Sequence, residues 1–142
     1  MRPIVLSCML MLACEPPPPV DGAAGGGLEM DVQIIIPLAN EVIPLDDDCV
    51  LRTLVAWDID GLESVPFKDA TNTPGEGHVH VVWAPPAYEA TSDQSIELEQ
   101  AGLTVGSSLT ISVDLRENEH ASLEVTAETE IEIGPDAGNS CP

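Results

Sequence analysis

The sequence predicts an all-β protein, an antiparallel β-sandwich of about seven strands. Three observations carry this. After Glu29 apolar and polar residues alternate at period two, with almost no helical spacing. Gly and Pro punctuate the alternating runs as turns would. Aromatics are 3% of the 142 residues against 44% hydrophobic, so the core must be aliphatic. That length suits one domain, and short strands with one wet face each bury the other by pairing two sheets.

The chain begins differently. Arg2 precedes an apolar run from Ile4 to Ala13, too short for the roughly 20 residues that span a bilayer. A basic residue before a short apolar run marks residues 1–13 as a signal peptide, outside the folded domain. Residues 14–28 form a Pro/Gly-rich tether: Pro16 to Pro19 favour a stiff spacer, and Gly22 to Gly27 a flexible one.

Residues 29–134 carry the strands. Met30 to Ile36 is a β-branched run stopped by Pro37. Leu51, Thr53, Val55, Trp57 and Ile59 alternate with polar neighbours until Gly61. Val79, Val81 and Trp83 alternate with His78, His80 and Val82 up to Pro85 and Pro86. Leu109 to Leu115 and Leu123 to Ile133 alternate in the same way, and Val42–Ile43 and Ile96–Leu98 are shorter candidates. Residues 135–142 form a C-terminal tail.

Charge narrows the function. Twenty-five acids face four basic residues, for a formal −21. Nucleic-acid binding needs clustered Lys and Arg, so it is excluded as a partner class. Electrostatic docking on anionic lipid fails for the same reason.

Leu10-Met11-Leu12-Ala13-Cys14 resembles the lipobox of bacterial lipoproteins, with Met11 where Leu is commoner. The resemblance implies lipidation of Cys14 and anchorage in the cell envelope. Glu15 is not the Asp associated with inner-membrane retention, so the outer membrane is the expected destination. Acyl chains at about 0.8 kcal/mol per buried methylene would hold the protein firmly. Cys8 then leaves with the signal and Cys14 is lipidated. Cys49 and Cys141 remain, and in an oxidising compartment they are expected to form a disulfide pinning the tail beside Val50.

The three histidines are the most informative residues. His78 and His80 stand two apart on one strand and share a face. His120 follows a later strand in Glu117-Asn118-Glu119-His120. Two imidazoles at i and i+2 with a third from elsewhere suit Zn²⁺ or Cu²⁺. Val79, Val81 and Trp83 would take the core side, leaving the imidazoles on a wet face. Alternatively, the histidines hydrogen-bond neighbouring loops and hold no ion.

Gly75-Glu-Gly-His78-Val-His80, the stretch from Val105 to Leu115 and Asn118-Glu-His120 together resemble an uncharacterised family of small secreted bacterial β-sandwich domains. The resemblance covers roughly residues 30–130 and implies an Ig-like (Greek-key) fold with histidine metal ligands. The chain departs from it at Trp83-Ala-Pro-Pro. His78-Val79-His80 also resembles a copper/zinc superoxide dismutase pattern, but the extra histidines and the glycine-rich arginine segment of that enzyme are missing.

Other motifs are weaker. Asp58-Ile-Asp60-Gly61-Leu-Glu63 and Asp46 to Asp48 have acids at spacings seen in calcium loops without a full motif. Glu124, Glu128, Glu130 and Glu132 read as a solvated ladder. No nucleophile stands beside a base. The expected function is a non-enzymatic, lipid-anchored extracytoplasmic binding or interaction module for a protein or metal-ion partner. A periplasmic copper/zinc-handling protein is the alternative, and a metal-dependent enzyme the third reading.

Overall fold

The computed structural model describes residues 29–66, 72–84, 87–138 and 140–142. The signal peptide, Cys14 and the tether expected from the sequence lie outside the described residues. Among the described residues there are nine strands and no helix: β1 (Asp31–Ile36), β2 (Val42–Pro44), β3 (Val50–Asp60), β4 (Glu63–Ser64), β5 (Glu76–Ala84), β6 (Ala87–Thr91), β7 (Ser95–Ala101), β8 (Ser108–Glu117) and β9 (Ser122–Gly134). One sheet has the order β1-β3-β7. The other runs β2-β9-β8-β5-β4, with β6 also paired to β5, and it curls into a half-barrel.

All seven sequence-derived runs are strands. The count is nine rather than about seven because β4 and β6 carry no apolar alternation to detect. β4 is two residues long, and β6 is the mostly exposed Ala-Tyr-Glu-Ala-Thr. The arrangement is also not purely antiparallel, since β2 pairs β9 and β4 pairs β5 in parallel. These are short edge segments whose pairing depends on chain geometry far away, so local alternation carries no trace of it.

The two sheets face each other across one core that is aliphatic except for Trp57. The first contributes Val32, Leu51, Val55, Trp57, Ile96 and Leu98. The second contributes Val79 and Val81 of β5, Ile111, Val113 and Leu115 of β8, and Ile131 and Ile133 of β9. The glutamates at 124, 128, 130 and 132 lie exposed on the outer face of β9, as their alternation required. Their charge guards a long strand against pairing with other chains.

The C-terminal tail is built into the fold. Cys49 and Cys141 are joined by a disulfide, with Cα atoms 5.4 Å apart. The buried Asp136 carboxylate accepts hydrogen bonds from the Cys141, Ser140 and Gly138 amides and from the Ser140 hydroxyl. These donors, the Cys141 amide foremost, hold its carboxyl below the usual carboxylate range. Pro142 O accepts from Val105 N at 2.8 Å. Asp46 accepts from the Asp48 and Val50 amides and pairs with Arg52. That carboxylate shapes the turn into β3, so the calcium alternative there loses its central donor.

At Gly77, the residue before His78, a Cβ would stand 2.3 Å from the carbonyl oxygen of Arg116. Only glycine lets β8 approach β5 this closely. Gly77→Ala is therefore expected to destabilise the domain by about 1–3 kcal/mol, read by denaturant unfolding. Replacing Cys49 and Cys141 together by alanine should remove about 4 kcal/mol, the cost of closing a loop this long in the unfolded chain. The far-UV circular dichroism of a β protein should survive that change at room temperature. Collapse of the spectrum would show that the sheets need the crosslink to form.

Candidate metal centre

β5 is buried on both faces at its centre. Val79 and Val81 enter the core with no exposed surface, and His78 on the opposite face is equally buried. The expectation that both imidazoles lie on a wet face is corrected for His78. There His120 of the β8–β9 turn packs against His78, a contact that the strand's own alternation does not reveal. His80 is half-buried, and the exposed Tyr88 of β6 stacks on its ring at 5.1 Å.

The β8–β9 turn delivers the third imidazole. Glu117 N donates to Ala121 O, and His120 N donates to Glu117 O at 2.9 Å. His120 itself takes φ +66°, a left-handed conformation that His adopts more readily than most side chains. The turn so closed folds His120 back over the end of β5. Its Nδ1 lies 3.3 Å from His78 Nε2 and 3.1 Å from His80 Nε2, and the two Nε2 atoms are 3.1 Å apart. The three residues singled out in the sequence therefore meet at one point.

Hydrogen bonding alone cannot satisfy this triangle. A ring nitrogen is either an N–H or a lone pair. With three nitrogens and two states, at least two neighbours must match, so one edge always sets lone pair against lone pair or N–H against N–H. A cation accepts all three lone pairs at once. It would require the Nδ1–H tautomers of His78 and His80 and the Nε2–H tautomer of His120. At Zn–N distances of about 2.0–2.1 Å, these separations would subtend about 95–111° at an ion. That is close to tetrahedral.

The electrostatics favour neutral imidazoles. Burial lowers the His78 pKa, helped by His120 and Arg116. Burial also lowers His80 to about 4, with His78, Arg116 and His120 adding to the effect and Asp114 opposing it. Arg116 and Asp114 stand in register opposite His78 and His80 on β8. The Asp114 carboxylate is held by Arg116 Nη2 at 2.9 Å and by the Thr126 hydroxyl. Neither neighbour stands out in the sequence as part of the site. Their signal was present as charged residues at i and i+2 on a strand otherwise facing the core, but only the register places them beside the histidines.

The remaining candidates do not join the site. Asp58 and Asp60 pair with Gln33 and Asp31 on the outer face of the other sheet. Cys49 and Cys141 are joined at the tail, and Cys14 lies outside the described residues. Comparison of the chain with family models, with curated proteins and with solved structures found no match.

Proposed function

We propose that this protein is a divalent-metal-binding β-sandwich module, tethered to the cell envelope through Cys14. The observation that supports it is the convergence of His78, His80 and His120 on a triangle of ring nitrogens with sides of 3.1–3.3 Å. Imidazole donors at near-tetrahedral angles suit Zn²⁺ or Cu²⁺. Two sheets facing across an alternating core also support an Ig-like sandwich. The lipobox-like run ending in Cys14 supports anchorage, and an extracytoplasmic location agrees with the Cys49–Cys141 disulfide. A binding or handling role fits a site built on rigid strands. The reading is of one ion per chain, held at the surface of a strongly acidic domain.

Titration of untagged protein with Zn²⁺ and Cu²⁺, with elemental analysis after dialysis, tests the proposal. One ion per chain and a raised melting temperature are expected. His80→Ala should weaken binding beyond the about 10–100-fold that losing an outer-shell partner costs, while changing the melting temperature of the metal-free protein little. Equal metal-induced stabilisation of the two proteins would place the ion among the carboxylates instead.

The metal-free protein has its own pH signature. The folded-state pKa values of His78 and His80 lie below the unfolded value of 6.5. Between pH 6.5 and about 4 the unfolded chain binds more protons than the folded one. Stability is thus fully present above pH 6.5 and is lost as the pH falls toward 4. Melting curves across this range should fall more steeply for the wild type than for His80→Ala. Parallel curves would show that His80 ionises as it does in water.

A further inference from the structure

We infer that the metal centre keeps one coordination position facing solvent, and that this position takes a small monodentate anion favoured by the Arg116 guanidinium. The inference rests on the metal-binding reading above and goes further, to the ligand the ion would accept.

The first argument is geometric. A triangle with sides of 3.1–3.3 Å is too small for an ion in its own plane. At metal–nitrogen distances of about 2.0–2.1 Å the ion stands about 0.9 Å to one side of it. All three nitrogens then lie behind the ion, and the hemisphere in front must be filled by something else. Among the described residues no Asp, Glu or Cys joins the three imidazoles in the cluster. The rim of the site is the exposed His120 and the half-buried His80, with the exposed Tyr88 ring stacked against the latter. The front of the ion is thereby approached from solvent.

The second argument is electrostatic. The chain has four basic residues. Arg2 and Lys68 lie outside the described residues. Arg52 is engaged with Asp46 and Glu99 near the tail. Arg116, ion-paired to Asp114 at 2.9 Å, is placed directly across from His78 in the register of β5 with β8. A cation beside a metal site weakens metal binding, so it does not serve the ion directly. Its effect reverses once an anion occupies the front of the ion, because the guanidinium then attracts the newcomer. Asp114 and Thr126 hold this region of β8 and β9 in a fixed polar row, which keeps the guanidinium from following bulk solvent. The ligand class is a small anion with one donor atom: hydroxide, a halide, azide, or a single carboxylate or phosphate oxygen.

The probe is cobalt(II) with azide. Co²⁺ takes four-coordinate nitrogen sites like those of Zn²⁺ and reports its ligands in the visible spectrum. Wild-type protein should develop visible bands at one Co²⁺ per chain, and azide should shift them saturably. Arg116→Gln should bind Co²⁺ more tightly yet bind azide about three- to tenfold more weakly. Arg116→Lys, which keeps the charge, should recover most of the azide affinity. Metal-free melting curves of both variants confirm that the sheet is intact. Bands that form but ignore azide would overturn the open position while leaving metal binding in place. An azide affinity equal in wild type and Arg116→Gln would overturn the part given to Arg116. Absence of Co²⁺ bands altogether would overturn the metal-binding reading and this inference with it.

Discussion

The pairing of β5 with β8 is the constraint on which both core and site depend. Its register runs from Gly77 opposite Glu117 to Val82 opposite Ser112. Inward, it sets Val79 against Leu115 and Val81 against Val113, all four fully buried. Outward, it sets His78 against Arg116 and His80 against Asp114. Because side chains alternate at period two, a slip by one residue would send both imidazoles into the core and both valines outward. The core therefore fixes the site: the free energy of burying four aliphatic side chains, about 1.5–3 kcal/mol each, opposes every other register. Gly77 allows the close approach at the start of this pairing, and the turn from Glu117 to Ala121 closes just beyond it. The third histidine thus inherits its position from the same register.

Charge distribution separates the site from the rest of the surface. Acids dominate the chain, and on β9 they form an outward row. Such a field gathers divalent cations near the surface without choosing among them. In the proposed metal-binding reading, selection would fall to the imidazoles, which prefer transition metals to the calcium or magnesium that carboxylates attract. In that reading the acids would raise the local concentration of any divalent ion, whereas the nitrogen triangle would discriminate by ligand type and geometry.

The all-β class and seven of the strands were legible because apolar and polar residues alternate along most of them, even in β5, whose centre is buried on both faces. β6 was hidden by its exposure, and the parallel edges by their dependence on distant chain geometry. The histidine cluster was legible in part. The i, i+2 spacing put His78 and His80 on one face, and His120 joined them as the remaining imidazole near a strand end. Burial of His78 was not legible, because the residue that packs on it, His120, comes from a turn about 40 residues on. The disulfide followed from counting cysteines. Asp136 did not: a lone acid in a polar tail looks solvated until its donors close around it.

The domain has two ends with different tasks. The disulfide, Asp136 and the last residues gather where β8 begins and β9 finishes. The histidine turn lies at the opposite end of that pair, where Arg116 meets Ser122. Disturbances at the two ends are far enough apart to act additively, so the crosslink can stabilise the fold without tuning the metal ligands. The chain also enters at the histidine end: Met30 borders a hollow with Glu117, Leu123 and Gly75, and Glu29 packs against Gly61. If Cys14 is the lipid anchor proposed, the 15 residues from it to Leu28 span at most about 50 Å. The first described residues, Glu29 and Met30, thus join the domain at the histidine end rather than at the disulfide.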